Sequence, residues 1–180
     1  MRIFIGTALP SALATDLDAH AAEHFNSGAW KVAAREQWHV TSLFVGERDE
    51  VLLSGIEAKV AAIAARHAPV TLWDGRLVTM PKDGPSMLWV RFTPSPGLTA
   101  LHHDLANVLG TEPSIHRPYW PHITLARRRA GRVDAVEGTV VVERFRLDHI
   151  TLFRSAPSPQ GSVHSPIATW PLSGTAPADR

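Results

Sequence analysis

The sequence predicts an α+β fold with antiparallel sheets, and three observations support this fold class. Short apolar runs typical of strands are interrupted by helical patterns, and several of these runs are paired across a tight turn. The helices are too few to connect every two strands, which disfavours a doubly wound parallel sheet. No glycine-rich loop of the Walker or dinucleotide type is present, so a nucleoside triphosphate or NAD site is not expected.

Hydrophobic periodicity places the elements of the first half of the chain in order. Apolar side chains that alternate with polar ones indicate strands, whereas apolar side chains at every third or fourth position indicate helices. The helical pattern that begins at Glu50 is the clearest in the sequence, and Pro69 lies just beyond its end. In order, the patterns predict a strand over 2–8, a helix from Ser11 to the turn at 26–28, a strand over 38–45 and a helix over 50–67.

The second half of the chain contains more strands than helices. The loop at 81–85 holds two prolines and a glycine between two apolar runs, which predicts a β-hairpin. Ser95 and Pro96 are a typical N-cap and first helical residue, and Gly110 is expected to end that helix. In order, the patterns predict strands over 70–80 and 87–92, a helix over 95–110, and strands over 122–125, 139–144, 147–153 and within 161–172.

Length and composition indicate one soluble domain. A chain of 180 residues is long enough to bury roughly two-thirds of the surface that it exposes when unfolded. We expect a single bilobal domain over residues 1–172 and a poorly ordered tail of small residues over 173–180. No apolar run reaches membrane-spanning length, and no signal sequence is recognisable. A cytoplasmic monomer that does not bind a membrane is therefore predicted.

Charge and cysteine content exclude several kinds of site. The chain has 18 basic and 17 acidic residues, so any contact with nucleic acid should be local rather than through a broad basic surface. It has no cysteine, which rules out disulfides, thiolate metal sites and a cysteine nucleophile. Basic residues do cluster near His122, and these are Arg117 before it and Arg127, Arg128, Arg129 and Arg132 after it.

A His-x-Thr pattern occurs three times in the sequence, where chance would give about 0.7 matches. Because a strand points alternate side chains to one face, the imidazole and the hydroxyl of each motif project together. His39-Val40-Thr41 and His122-Ile123-Thr124 each begin an apolar strand, and a strand end can open onto a cleft. His149-Ile150-Thr151 lies inside a longer alternating run with Phe145 and Phe153, which predicts a packed, structural role for His149.

Two opposed imidazoles suit phosphodiester chemistry. One can take a proton from the attacking oxygen while the other gives a proton to the leaving oxygen, and both can do so near neutral pH. Thr41 and Thr124 would hold the non-bridging phosphoryl oxygens, and Arg127 would offset their charge. We therefore predict His39 and His122 as the catalytic pair, and the sequence leaves open which of them is the base.

Other chemistries fit the pattern less well. A metal site would have two histidines from separate strands but no nearby carboxylate or third histidine with ligand-like spacing. A serine nucleophile is disfavoured because Ser42 faces away from His39 on the strand and no Gly-x-Ser-x-Gly elbow is present. The adjacent His102 and His103 point about a hundred degrees apart on a helix, so we expect them to have packing or solvent roles, and His116 is expected to be a loop histidine.

The order of these segments resembles the 2H phosphoesterase superfamily, and within it the RNA 2′,3′-cyclic phosphodiesterases historically called 2′-5′ RNA ligases. The segments that carry the resemblance are residues 2–10, 38–46, 121–127 and 150–155. The resemblance implies a bilobal fold of two antiparallel sheets flanked by helices, with pseudo-two-fold symmetry around a central cleft. It also implies hydrolysis of a terminal RNA 2′,3′-cyclic phosphate to a 2′-phosphate, without a cofactor or a metal.

Aromatic residues near the motifs are candidates for stacking on unpaired bases, which contributes about 1 to 3 kcal/mol per base. Either base stacking or packing fits Tyr119 and Trp120, whereas core packing is the expectation for Phe44. Two positions depart from the family pattern, since Ser42 replaces an apolar residue and His164 replaces an aromatic one. Two alternative functions stay open, a phosphodiesterase acting on 2′,5′-linked oligonucleotides or small cyclic nucleotides, and a non-catalytic module that binds RNA ends.

Overall fold

The computed structural model describes residues 1–25, 28–115, 118–129, 131–133, 135–159 and 161–175. Its helices are α1 (Ser11–Phe25), α2 (Leu53–Ala64) and α3 (Pro96–Leu109), with short 3₁₀ helices at Arg35–Gln37 and Glu50–Leu52. Its strands are β1 (Arg2–Ala8), β2 (Trp30–Val32), β3 (His39–Glu47), β4 (Val70–Met80), β5 (Met87–Arg91), β6 (His122–Arg128), β7 (Glu137–Leu147), β8 (His149–Ser158) and β9 (Gly161–Pro171).

The helices form where the apolar periodicity predicts them. Ser95 caps α3 by accepting a hydrogen bond from the Leu98 N–H at 3.3 Å, and Gly110 ends the helix in the left-handed conformation, with φ of 59°. The helix predicted over 50–67 begins as a 3₁₀ turn and is α-helical only over α2. β2 lies in a stretch for which the sequence gives no pattern, because three residues are too few to establish a period.

The strands pair antiparallel in one sheet of order β7-β4-β5-β6-β3-β1-β8-β9, and β2 pairs with β6 beside this path. The α+β class is confirmed. We call β3, β1, β8 and β9 the His39 half-sheet, and β6, β5, β4 and β7 the His122 half-sheet. The two halves are joined between β3 and β6, where Val40 and Ile123 form the single paired position. The two sheets expected from the sequence are therefore fused at one point.

The helices cover the sheet unequally. α2 and α3 pack against each other over the His39 half-sheet, and α1 lies against β7 of the His122 half-sheet. A continuous apolar core links the helices to both halves. Among the described residues, no helix is both long enough and apolar enough to cross a bilayer.

The C-terminal end of the described chain packs against α2. The backbone N–H groups of Ser173 and Gly174 donate hydrogen bonds to the carbonyls of Ala64 and His67, at 3.3 and 3.0 Å. The packed chain therefore extends two residues beyond the boundary predicted at residue 172. The rest of the predicted tail, residues 176–180, lies outside the described residues.

Candidate active site

The two motif histidines lie at the seam between the half-sheets. Each is followed directly by one member of the seam pair, Val40 or Ile123. Both of these side chains are completely buried. Because successive residues of a strand point to opposite faces, the histidines and threonines that flank the pair project to the other face of the sheet.

The two motifs face each other across the seam. In an antiparallel pair, the residue before one member lies across from the residue after its partner. The antiparallel direction of β3 and β6 therefore places His39 on the Thr124 side of the Val40–Ile123 pair and His122 on the Thr41 side. The order of the two motifs along the seam is two-fold.

Both imidazoles are oriented by the same hydrogen bond. Nδ1 of His39 donates to the carbonyl oxygen of Gln37 at 2.7 Å, and Nδ1 of His122 donates to that of Trp120 at 2.9 Å. A carbonyl oxygen can only accept, so Nδ1 carries the hydrogen in each ring. In both histidines Nε2 is therefore the nitrogen that is left to exchange a proton with a ligand.

A β-bulge follows the motif threonine on β3. Thr41 lies across from Gly6 of β1, yet Phe44, three residues on, lies across from Phe4, only two residues before Gly6. The extra residue reverses the alternation, so Phe44 shares a face with Thr41. A Cβ added at Gly6 would lie 2.6 Å from the carbonyl oxygen of Val40, which explains the glycine at this close approach.

The same irregularity follows the motif threonine on β6. Thr124 lies across from Trp89 of β5, whereas Arg127, three residues on, lies across from Met87, two residues before Trp89. Arg127 is therefore on the face of Thr124, where strict alternation would have placed it on the opposite face. Its guanidinium is exposed and donates to the Met87 sulfur at 3.3 Å. The bulge brings Arg127 to the side of the sheet that its predicted role requires.

His39 sits in an aromatic environment. Its ring centroid is 4.7 Å from that of Phe4, 6.2 Å from that of Phe153 and 5.1 Å from that of His164. The pKa of His39 is lowered to about 4, chiefly by burial and also by charge on His164 and His122, while the hydrogen bond to Gln37 acts in the opposite sense. His39 is therefore neutral at pH 7.

His164 is a third histidine beside the site, and the sequence assigned no role to it. Its ring meets that of Phe4 edge-on at 4.8 Å, and its backbone N–H donates to the side-chain oxygen of Gln37. Gln37 thus contacts both His164 and His39. Burial and the charge of Arg2 lower the pKa of His164, and its Nδ1 is buried without a hydrogen-bond partner among the described residues.

His122 has a different neighbour, the indole of Trp89, which stacks on the imidazole with a centroid distance of 3.9 Å and an angle of 19° between the rings. Beside this pair lies a cavity of about 430 Å³ between β3 and the segment that precedes β6. Phe44 lines the cavity, and its side chain is 58% exposed. Core packing, which was expected for Phe44, is therefore wrong, because the bulge turns this ring towards the cleft.

Tyr119 also lines the cavity, but most of its side chain is buried. It is only 7% exposed, its ring stacks on His102 at 4.2 Å, and its hydroxyl donates to the Thr41 carbonyl at 3.1 Å. Its burial and its hydrogen bond to β3 favour the packing alternative for Tyr119, and base stacking by this ring stays a prediction. Trp120 is half-buried, lines the cavity and has the Arg91 guanidinium 5.4 Å from its ring centroid, so it stays a stacking candidate.

His102 has the packing role that the sequence predicts. Its Nδ1 donates to the Ser42 carbonyl at 2.8 Å, and its Nε2 accepts the Ser114 N–H at 2.9 Å. Burial lowers its pKa, which agrees with a neutral ring that donates through one nitrogen and accepts through the other. His102 therefore ties α3 to β3 below the cleft.

The third motif differs from the other two. The side chain of His149 is 38% exposed and contacts the Asp148 carboxylate at 2.6 Å, so the expectation of a packed position is wrong. β7 ends at Leu147 and β8 begins at His149, so this histidine starts a new strand instead of lying inside a longer one. Its threonine, Thr151, is buried and hydrogen-bonded to Thr169.

The remaining predicted residues lie near the strand end or outside the description. Arg128, Arg129 and Arg132 are exposed, at the end of β6 and in the turn that follows it. His116 and Arg117 lie outside the described residues.

Comparison with known proteins gives one family and several relatives. The model of the 2′-5′ RNA ligase superfamily matches residues 9–159. A protein of Thermus thermophilus named RNA 2′,3′-cyclic phosphodiesterase is 28% identical over 182 residues, which cover 97% of this chain and 91% of the relative. A Bacillus subtilis protein of the same name is 28% identical over 163 residues, which cover 84% of this chain and 89% of the relative.

Solved structures show the same fold. A crystal structure of a Thermus thermophilus protein has a TM-score of 0.83 and 27% identity, and the match covers 98% of this chain and 100% of that one. Escherichia coli LigT complexed with 3′-AMP has a TM-score of 0.74 and 22% identity, with 96% of this chain and 98% of that one covered.

Proposed function

This chain belongs to the 2′-5′ RNA ligase superfamily, and from that premise we propose that it hydrolyses the terminal 2′,3′-cyclic phosphate of RNA to a 2′-phosphate. The observation that carries the proposal is the two-fold placement of both His-x-Thr motifs on one face at the seam. The names of the Thermus and Bacillus relatives support the same reaction. An enzyme of this kind is a hydrolase.

In the proposed reaction, water attacks phosphorus, the bond from phosphorus to O3′ breaks, and O2′ keeps the phosphate. Nε2 of one histidine accepts the proton that water loses, and Nε2 of the other donates a proton to O3′. His39, whose pKa is lowered to about 4, is neutral at pH 7 and is assigned the role of base. The anionic phosphate raises its basicity on binding, because a nearby opposite charge favours the protonated imidazole. His122 is then the acid.

The threonines and Arg127 are assigned to the phosphoryl oxygens. Thr41 and Thr124 lie across the seam from the two histidines, so their hydroxyls are suited to donate to the two non-bridging oxygens. Negative charge builds up on these oxygens as water adds. Arg127, on the same face through its bulge, offsets that charge.

The test uses an oligoribonucleotide that ends in a 2′,3′-cyclic phosphate, incubated with protein that has been treated with EDTA. We expect a 2′-phosphate product, resolved from the 3′-phosphate isomer, and an undiminished rate in EDTA. A 3′-phosphate product would contradict the assigned leaving oxygen, and loss of activity in EDTA would contradict a metal-independent reaction. No product from this RNA, with turnover of 2′,5′-linked oligonucleotides or small cyclic nucleotides, would favour that alternative substrate class.

A non-catalytic module that binds RNA ends is the second alternative. Binding alone does not require two proton carriers held at the same nitrogen, so the matched orientation of His39 and His122 counts against this function. RNA binding without product from any of these substrates would revive it. The cytoplasmic location, the monomeric state and the absence of an obligate protein partner stay predictions.

A further inference from the structure

We propose that the cavity between β3 and the segment before β6 binds the base of the terminal nucleotide, and that Glu112 at its rim selects guanine. The inference rests on the proposed function, because it assigns a position to the nucleoside of the same substrate. It adds a specificity that the cyclic phosphate chemistry does not itself require.

The cavity occupies one of the two gaps that β3 and β6 leave on either side of their single paired position. β3 and β6 diverge in both directions from the pair of Val40 and Ile123. On one side of that pair, β2 fills the gap by pairing with β6 at residues 126–128. On the other side, in the part of the chain that is described, the gap between Phe44 and Trp120 holds the cavity of about 430 Å³. A volume of this size lies within the range of small-molecule sites.

The walls of this cavity suit a flat aromatic ligand. Phe44 and Ile115 are 58% and 91% exposed, although both are large apolar side chains. Trp89 and Trp120 add two indole rings, and Trp89 holds His122 in its stack. Every base has a π face that stacks on aromatic side chains. A base between these walls would keep its ribose, and hence the cyclic phosphate, beside His122.

Glu112 gives the cavity its selectivity. It is the only acidic residue among the described residues that line the cavity, its side chain is exposed, and no described residue forms an ion pair with it. An ionised carboxylate can only accept hydrogen bonds, and it accepts two in parallel. A base inserted into the cavity is therefore read through the donors on its Watson–Crick edge.

The four bases differ at that edge. Guanine presents two adjacent donors, N1–H and N2–H, which match both carboxylate oxygens. Adenine and cytosine each present one amino donor next to an acceptor nitrogen, which faces the carboxylate unfavourably. Uracil presents N3–H between two carbonyl oxygens, the least favourable pattern. We therefore expect guanine to be processed best and uracil worst.

The phosphodiester on the 5′ side of this nucleotide is expected to leave towards the opposite side of the seam. Lys31 of β2 lies across from Arg127 of β6, and both side chains are exposed there. The carboxylate of Glu112 at the other end would repel a phosphate. The basic residues at one end and the carboxylate at the other thus favour one orientation of the RNA strand in the cleft.

The experiment uses four oligoribonucleotides that differ only in the last base, each with a 2′,3′-cyclic phosphate, and compares kcat/KM. For the native protein, we expect the guanosine end to exceed the uridine end by about tenfold, which corresponds to about 1.4 kcal/mol. Glu112→Gln should reduce that ratio to less than about twofold, because the amide has one acceptor fewer for guanine and gains a donor for the uracil carbonyls. Glu143→Gln, which changes an exposed carboxylate on β7, is the matched control and should leave the ratio unchanged.

The outcomes separate this inference from the function on which it rests. Hydrolysis of all four ends at equal rates, unaffected by Glu112→Gln, would overturn the guanine subsite and leave the phosphodiesterase intact. If none of the four is hydrolysed, binding of guanosine 2′-phosphate and uridine 2′-phosphate, measured by calorimetry, gives an independent readout. Tighter binding of the guanosine compound that Glu112→Gln abolishes would support the subsite without the reaction, and equal binding would overturn it.

Discussion

Each half-sheet carries a His-x-Thr motif with the same backbone geometry, but the side chains around the two motifs differ. In each, a histidine donates through Nδ1 to the carbonyl two residues earlier, a threonine follows two residues later, and a bulge comes directly after it. The residue that the bulge turns onto this face is Phe44 in one half and Arg127 in the other. The shared backbone geometry orients the two imidazoles alike, and in the proposed reaction the unlike side chains around them give each histidine a different role.

The environments of the histidines differ just as clearly. Phe4, Phe153 and His164 surround His39 and depress its pKa, whereas a single indole stacks on His122. The gap next to the His122 ring is open, and the gap on the far side of the seam is filled by β2. The surroundings of the two motifs are therefore asymmetric, as the proposed substrate requires, with a phosphate between the histidines and a base on one side only.

The strongest test of the equivalence of the two motifs is to remove each histidine in turn. We expect His39→Ala and His122→Ala each to lower kcat by about 10³-fold, within the usual range for a general acid or base. The double variant should lose little more than either single variant, because the two act in one step. Rates are measured on the cyclic phosphate RNA under saturating conditions.

The third motif supplies the control for this test. His149→Ala should change kcat by less than about twofold, since the side chain is half exposed and bonded to Asp148. A His122→Ala protein that retained a tenth of the native rate would show that the two motifs are not equivalent proton carriers.

A second test compares the two residues that follow the bulges. Arg127→Ala should lower kcat by about 10- to 100-fold, because it removes charge stabilisation that is strongest in the transition state. Phe44→Ala should instead raise KM by about fivefold with little change in kcat, because stacking is the same in the ground state and the transition state. Arg128→Ala, at an exposed neighbouring position of β6, is the control for general loss of positive charge. An effect of Phe44→Ala on kcat alone would contradict this division.

The smallest expected effect is on the free energy of unfolding in acid. It measures how much the burial of His39 contributes to the pH dependence of stability. The folded pKa of about 4 lies below the unfolded value of 6.5, so the unfolded chain binds more protons between these values. The stabilisation that comes from keeping His39 neutral is complete above pH 6.5 and is lost as the pH falls to 4, with a limit on the order of 3 kcal/mol. Urea unfolding at about pH 7 and about pH 4.5 measures this change.

The variant His39→Gln supplies the comparison. It should show a smaller loss of unfolding free energy between the two pH values than the native protein, because it has no imidazole to protonate at this position. His102 and His164, whose pKa values are also lowered by burial, keep part of the pH dependence in both proteins. Identical pH dependence in the two proteins would show that burial of His39 does not contribute to stability.

Sequence periodicity was sufficient for most of the secondary structure and for the α+β class, and the resemblance of the motif segments indicated the family. The helices carry their own signals, such as the Ser95 cap and Gly110, and these are local. The placement of each motif histidine and threonine on one face also follows from alternation alone. The resemblance carried by the motif segments is confirmed by the family match over residues 9–159.

Features that depend on a partner strand could not be read from the sequence. The bulges at β3 and β6 exist only relative to β1 and β5, so the exposure of Phe44 was missed. The hydroxyl of Tyr119 donates to the carbonyl of Thr41, a contact between residues far apart in sequence that favours packing for this ring. The join at a single residue pair and the cavity beside it likewise arise from how two strands diverge.

The position of β1 has a consequence for the order in which the protein is made. β1 lies between β3 and β8, and Phe4 pairs with Phe44 on one side and with Phe153 on the other. During synthesis from the N-terminus, β3 reaches β1 early, but the second edge of β1 stays open until β8 has left the ribosome. The ring cluster around His39 needs Phe153 and His164, so a nascent chain cannot complete this half of the candidate site before β8 and β9 have been synthesised.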